Sequence, residues 1–293
     1  LAERKALVTG ASGLVGSAIV NALLRDGWHV LYCSRRMPPA GNDVTWVPYD
    51  LAWSALPPDF GAGAEVLIHA ALATGRQRNP LAANVGGTAL LLDAARRSGI
   101  NRRVFISSLA AGTDAPSNYA QQKRSVERYF ESESDTVIRP GLVIGDGGLF
   151  KMLCRQIGRR APVPLIDGGR QPVQTVLDDD LARVVVKAAR ERIAGTFSVG
   201  EPQPVEYRAF LQAIARALRV PIAFLSMPFW LADLGARAAS ALPLHLPVSR
   251  EQLLGLRAMR PQPVTSDPRL LDAPVRPYDE SIRLALSKSG AAW

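Results

Sequence analysis

The chain has 293 residues, 47% hydrophobic and 21% charged, which is enough to bury a large core and too apolar for a disordered chain. Its net charge is +9, but the arginines are scattered and no basic stripe is interleaved with aromatics, which argues against a nucleic-acid partner. Two cysteines (Cys33, Cys154) and three histidines (His29, His69, His245) have no metal-ligand spacing, so neither a metal site nor a disulfide framework is expected, and a reducing, cytoplasmic setting is.

A short apolar strand is predicted over 5–8, leaving no room for a signal peptide ahead of it. No apolar run reaches the roughly 20 residues that span a bilayer. A helix follows Gly13, with Leu14, Val15, Ala18, Ile19, Ala22 and Leu23 at helical spacing, and it stops at Asp26-Gly27. Strands follow over 28–33, 44–49 and 65–71, then a helix over 80–97 and a strand over 103–108. The next helix spans 118–131 and the sixth strand 136–140. Strands alternating with helices imply an α/β fold, a doubly wound parallel sheet of Rossmann type.

After Gly145 the rhythm changes. A helix over 149–157, a Pro/Gly-rich stretch over 161–172 and a strand over 173–176 come next. Asp178-Asp179-Asp180 is read as the cap of a helix reaching 190, and a short strand follows over 195–199. Helices are predicted over 207–218, 228–241, 250–257 and 279–287. The expected division is a dinucleotide-binding domain over 1–165, to which part of 170–200 returns, and a smaller, mainly helical substrate lobe over 166–293. The helix over 228–241 carries Phe229, Trp230, Leu231 and Leu234 near Arg237. Packing over a substrate crevice is favoured for it, and peripheral membrane contact is the alternative.

Gly10, Gly13 and Gly16 have the spacing of a strand–turn–helix loop that brings backbone N–H groups to a pyrophosphate. Arg35 and Arg36 follow the second strand, where a carboxylate on the ribose 2′-OH is the usual alternative. A guanidinium fork suits a 2′-phosphate, so NADP is expected in preference to NAD. Asp50 is a candidate for the adenine amino group or a plain turn former. Tyr119 and Lys123 lie four apart on one helix face. A neighbouring ammonium would favour the phenolate of Tyr119, whose reference pKa is near 10. Ser107 and Ser108 end the strand before that helix, and Ser108 is the candidate that orients a substrate oxygen.

Together these motifs resemble the short-chain dehydrogenase/reductase superfamily, in its extended or atypical form (NAD-dependent epimerase/dehydratase-like), over nearly the whole chain. The resemblance implies catalytic Ser108, Tyr119 and Lys123. It implies a cofactor loop with Gly10, Ser12, Gly13, Leu14 and Val15, and further cofactor contacts from Asp50, Leu51, Ala70, Ala71, Asn84, Pro140 and Val143. Members acting on nucleotide sugars usually carry an Asn after the sixth strand, where this chain has Pro140-Gly141-Leu142. The short gap from Ser108 to Tyr119, and Met227-Pro228-Phe229-Trp230-Leu231, are more similar to the subgroup related to the NADPH-binding accessory subunit of respiratory complex I. The expected activity is oxidation–reduction, epimerisation or dehydration of a small carbonyl or carbinol substrate by a monomer or homodimer. The alternative is a non-catalytic NADPH-binding accessory or sensor subunit, linked to a respiratory or quinone-related membrane complex.

Overall fold

The computed structural model describes residues 4–39, 41–73, 79–112, 117–130, 133–241, 250–265 and 267–288. In chain order it contains β1 (Lys5–Thr9), α1 (Leu14–Arg25), β2 (His29–Ser34), β3 (Val44–Pro48), β4 (Val66–His69), α2 (Pro80–Arg97), β5 (Arg102–Ile106), α3 (Asn118–Glu127) and β6 (Asp135–Pro140). There follow β7 (Leu142–Ile144), α4 (Gly148–Gly158), β8 (Val163–Ile166), β9 (Pro172–Val173), β10 (Thr175–Leu177), α5 (Asp178–Glu191) and β11 (Gly195–Val199). Last come β12 (Val205–Glu206), α6 (Tyr207–Leu218), β13 (Phe224–Met227), α7 (Phe229–Ala241), α8 (Arg250–Ala258) and α9 (Tyr278–Lys288).

The expected Rossmann-type sheet is present. Seven strands pair in parallel in the order β3-β2-β1-β4-β5-β6-β11. The order reverses between β1 and β4, and that switch point opens a crevice at the C-terminal strand ends. Strand alternation divides the core: Ala6 and Val8 face one layer with α1 and α5, while Leu7 faces the other with Leu91, Phe105 and Val126. A separate core of Phe150, Leu153, Phe210, Ile214 and Ile282 joins α4, α6 and α9 into the lobe. No helix among the described residues is long and apolar enough to cross a membrane.

Three expectations are corrected in detail. The helix over 118–131 ends at Glu127, because the chain turns Phe130 inward to stack on Phe105 with ring centroids 5.0 Å apart. The strand over 173–176 breaks at Gln174, whose side-chain amide donates to the carbonyls of Glu201 (3.0 Å) and Gln262 (2.9 Å). Its two halves then pair with different partners, β9 with β12 and β10 with β7. The three aspartates do not cap α5, whose N-cap is Leu177. Instead Asp180 accepts from the backbone and guanidinium of Arg276 (3.0 and 2.7 Å), and Asp179 pairs with Lys288, so this first turn anchors the C-terminal helix.

Glu201 gives the same junction a pH dependence. Its carboxylate accepts from Thr175 Oγ1 at 3.3 Å, and desolvation pushes its pKa up to about 7. The folded-state value lies above the unfolded one of 4.5, so its contribution is present below that pH and is lost as pH rises through about 7. Glu201→Gln is therefore expected to match the wild type near pH 4 and to exceed it by about 2 kcal/mol near pH 8. Urea denaturation at the two pH values checks this; an equal difference at both would refute it.

Candidate active site

The chain leaves β1 through Gly10 with φ +68°, a left-handed conformation that favours glycine. A Cβ at Gly10 would lie 2.6 Å from the amide nitrogen of Ala71 and 2.7 Å from the carbonyl of Ala70. One at Gly16 would lie 2.0 Å from the Gly10 oxygen. The turn is thus pressed between the end of β4 and the first turn of α1. Gly13 donates its N–H to Gly10 O (2.9 Å) and is the N-cap of α1. No side chain caps that helix, and its first turn carries no acid. Its positive end therefore faces the crevice at the switch point, which fits a pyrophosphate. Ser12 is exposed beside it, and Gly13, Leu14 and Val15 line the cleft.

A buried relay stiffens the floor of this crevice. Thr88 Oγ1 donates to Asn84 O (2.6 Å), so it accepts from His69 Nε2 (3.0 Å), which leaves Nδ1 to accept from Thr9 Oγ1 (2.7 Å). Burial, aided by the Lys123 charge, pulls the His69 pKa down to about 3, so the ring is neutral at physiological pH. Asn84 does not line the cleft. Its side-chain amide accepts from Ala73 N (2.8 Å) and donates to Ala73 O (3.0 Å) and to Gln122 Oε1 (2.6 Å), pinning the segment after β4 to α3.

Ser117 caps α3 by accepting from Ala120 N at 3.3 Å, which places Tyr119 in the first turn and Lys123 in the second. Ser108, Tyr119 and Lys123 all line one cleft. Tyr119 is 42% exposed, open towards the cleft. Burial by the surrounding protein raises its pKa, with the neighbouring Ser108 hydroxyl opposing, so the phenol is protonated at neutral pH. The expected lowering by Lys123 is not found in this arrangement. Lys123 is buried, donates to Ile106 O at 2.7 Å and lies 4.9 Å from the centre of the Phe105 ring. Desolvation lowers its pKa to about 8, against the pull of Glu127.

Glu127 is a site residue that the sequence reading missed. It accepts from Ser107 Oγ on one side and from Arg139 Nε (2.9 Å) and Nη2 (2.6 Å) on the other. It ties the ends of β5 and β6 beneath Lys123. The signal was its spacing: Tyr119, Lys123 and Glu127 form one i, i+4, i+8 stripe. A second missed group is Gln262, which donates to Leu109 O (2.9 Å) from the far end of the chain and so fastens the segment after Ser108.

Ala70, Pro140 and Val143 line the cleft, and Ala71 abuts Gly10. Arg35 and Arg36 are exposed just past Cys33, which pairs in register with Thr9, so they stand beside the glycine turn. Asp50 Oδ1 accepts from Ala52 N (3.0 Å), closing its own turn, and the Leu51 carbonyl packs where a Cβ on Gly87 would stand, 1.9 Å away. Arg35, Arg36, Asp50 and Leu51 are not part of the cleft that holds Tyr119; they follow β2 and β3, and Leu51 is buried. The cleft measures about 890 Å³ and runs from the glycine turn into the lobe.

Residues 6–200 match the model of the NAD dependent epimerase/dehydratase family. The chain is 31% identical over 202 residues to a ceramide reductase of Caulobacter vibrioides (strain NA1000 / CB15N), covering 66% of this chain and 63%, under two thirds, of that protein. Among solved structures it superposes on human epimerase family protein SDR39U1 (isoform 2) with NADPH, at a TM-score of 0.72 and 19% identity, over 97% of this chain and 99% of that one. It also superposes on the Bordetella bronchiseptica enzyme WbmH in complex with NAD+, at a TM-score of 0.74 and 18% identity, over 97% of each chain. At these identities the two structures speak for the fold alone.

Proposed function

The chain belongs to the NAD dependent epimerase/dehydratase family, and from that premise we propose that it is an NADP(H)-dependent oxidoreductase that interconverts a carbonyl and its carbinol over Tyr119. The observation that carries this reading is that Tyr119 and Ser108 share the wall of a cleft that begins at the glycine turn, with Lys123 one helical turn along the same wall. The name of the Caulobacter relative, a reductase, supports net hydride transfer over epimerisation.

The turn from Gly10 through Ser12, Gly13, Leu14 and Val15 would hold the pyrophosphate, and Arg35 and Arg36 the 2′-phosphate. Asp50 and Leu51 would border the adenine, Ala70 and Ala71 would lie along the cofactor, and Pro140 and Val143 would meet its nicotinamide end. Asn84 acts at one remove, through Gln122 on α3. When bound, the nicotinamide supplies or accepts a hydride. In the direction of reduction, Ser108 holds the substrate oxygen and Tyr119 gives that oxygen a proton as the carbonyl carbon takes up hydride. Lys123, with its pKa near 8, holds the ribose side and returns a proton from water to the phenolate.

NADPH oxidation against a panel of carbonyls tests the reading. Turnover is expected. Tight NADPH binding with no turnover, unchanged in Tyr119→Phe, would overturn it in favour of an accessory or sensor subunit. Cofactor choice has its own test. Arg35→Asp is expected to weaken NADPH binding about 10–100-fold, the worth of a charge-assisted phosphate contact, while sparing NADH. Equal losses for both nucleotides in titrations followed by nicotinamide fluorescence would refute the role of Arg35.

A further inference from the structure

Beyond Tyr119 the cleft is walled by the lobe. Met152 on α4, Val163 and Ile166 on β8, Met227 at the end of β13, and Leu256 and Met259 on and just after α8 face it. Three of the chain's four methionines line this one space. Methionine is unbranched and polarisable, and it moulds to flexible apolar shapes. Among the described lining residues there is no carboxylate, and the charged side chains are Lys123 and Arg260. Arg260 is exposed, and its Nη1 donates to the carbonyls of Arg257 (2.9 Å) and Met259 (2.8 Å). Of the three glutamines that line the cleft, two on the Ser108 side are engaged, Gln174 with the Glu201 and Gln262 carbonyls and Gln262 with Leu109 O, and Gln156 on α4 adds a single amide to the lobe side.

A nucleotide sugar brings a diphosphate and a ring of hydroxyls. Buried here, those groups would lose water and find few partners, a penalty paid group by group. A hydrocarbon chain loses nothing polar and gains by burial in the same space. We infer that the lobe end of the cleft is a binding site for a long hydrocarbon tail, and that the substrate is a ketone or secondary alcohol carrying such a tail, its oxygen at Ser108 and Tyr119. The inference rests on the oxidoreductase reading for the substrate's reacting group, but the tail site stands on the lining alone.

Two measurements on the full chain separate these two parts. The first is displacement of 1-anilinonaphthalene-8-sulfonate by a homologous series of straight-chain 2-alkanones, without cofactor. The second is NADPH oxidation with the same series, with a UDP-4-keto sugar as the polar comparison in both assays. Affinity in the first and kcat/KM in the second are expected to rise roughly fourfold per added methylene until the space is filled, the equivalent of about 0.8 kcal/mol per buried CH₂. Val163→Glu, which sets a carboxylate in the tail space, is expected to flatten both slopes. Its NADPH affinity, read separately, shows whether the fold persists, and Met259→Glu repeats the test from the segment after α8. Displacement that climbs with chain length but no turnover supports the tail site and sinks the oxidoreductase reading. Turnover that ignores chain length, or a preference for the UDP-4-keto sugar in either assay, overturns the tail site and leaves the oxidoreductase reading intact.

Discussion

Tyr119→Phe is expected to lower kcat by about 10²–10⁴-fold, the usual worth of a positioned general acid or base. Its affinity for NADPH should stay within a small factor of the wild type. The substitution removes one oxygen from a ring that is 42% exposed to the cleft, so neither packing nor the helix is disturbed. The pH profile gives a second readout. The Tyr119 pKa is raised and that of Lys123 is lowered to about 8, so the two bracket the alkaline limb of the wild-type rate. In the Phe variant any residual rate should lose the tyrosine component of that limb. Unchanged kcat, or an unchanged alkaline limb, would remove Tyr119 from the chemistry.

Gly16→Ala should have the second large effect, on both fold and cofactor. The new methyl would stand 2.0 Å from the Gly10 oxygen, a backbone atom that cannot rotate aside. Overpacking of this kind costs about 1–3 kcal/mol where side chains can give way, and here only backbone can move. The expected result is a destabilisation of about 3 kcal/mol or more and nucleotide binding too weak to measure. Gly13→Ala serves as the control. Its Cβ would meet only the Gly10 oxygen, at 3.3 Å, and its φ of −83° suits any residue. That variant should fold normally yet bind NADPH at least about tenfold more weakly, because the methyl projects where a phosphate must approach the α1 N-terminus. Full NADPH affinity in Gly13→Ala would place the pyrophosphate elsewhere.

The sequence made the sheet legible because β1, β2, β4 and β5 are each runs of four to six mostly apolar residues closed by turn signals, and β6 centres on Val137-Ile138. The Tyr119–Lys123 pair was legible for a similar local reason, since four residues make about one helical turn. What stayed hidden depends on tertiary contact. The strands β7, β8, β9, β10, β12 and β13 have two to four residues each, too short for a period to show. Glu127 becomes part of the site only because α3 crosses the ends of β5 and β6, where Ser107 and Arg139 wait for it. The direction of the Lys123 ammonium, towards Ile106 O, is set by a strand whose position no helical spacing encodes. The apolar cleft is assembled from α4, β8, β13 and α8, segments that read individually as ordinary amphipathic or extended pieces.

The amide chain from Gln174 through Gln262 to Leu109 ties the loop after Ser108 to a residue 153 positions later. During synthesis, the sheet, the glycine turn and the Tyr119 helix all leave the ribosome before that fastening exists. The glycine turn is therefore complete in the nascent chain while the loop after Ser108 stays unfastened until Gln262 has emerged. The order of translation separates the making of the glycine turn from the fastening of the loop after Ser108.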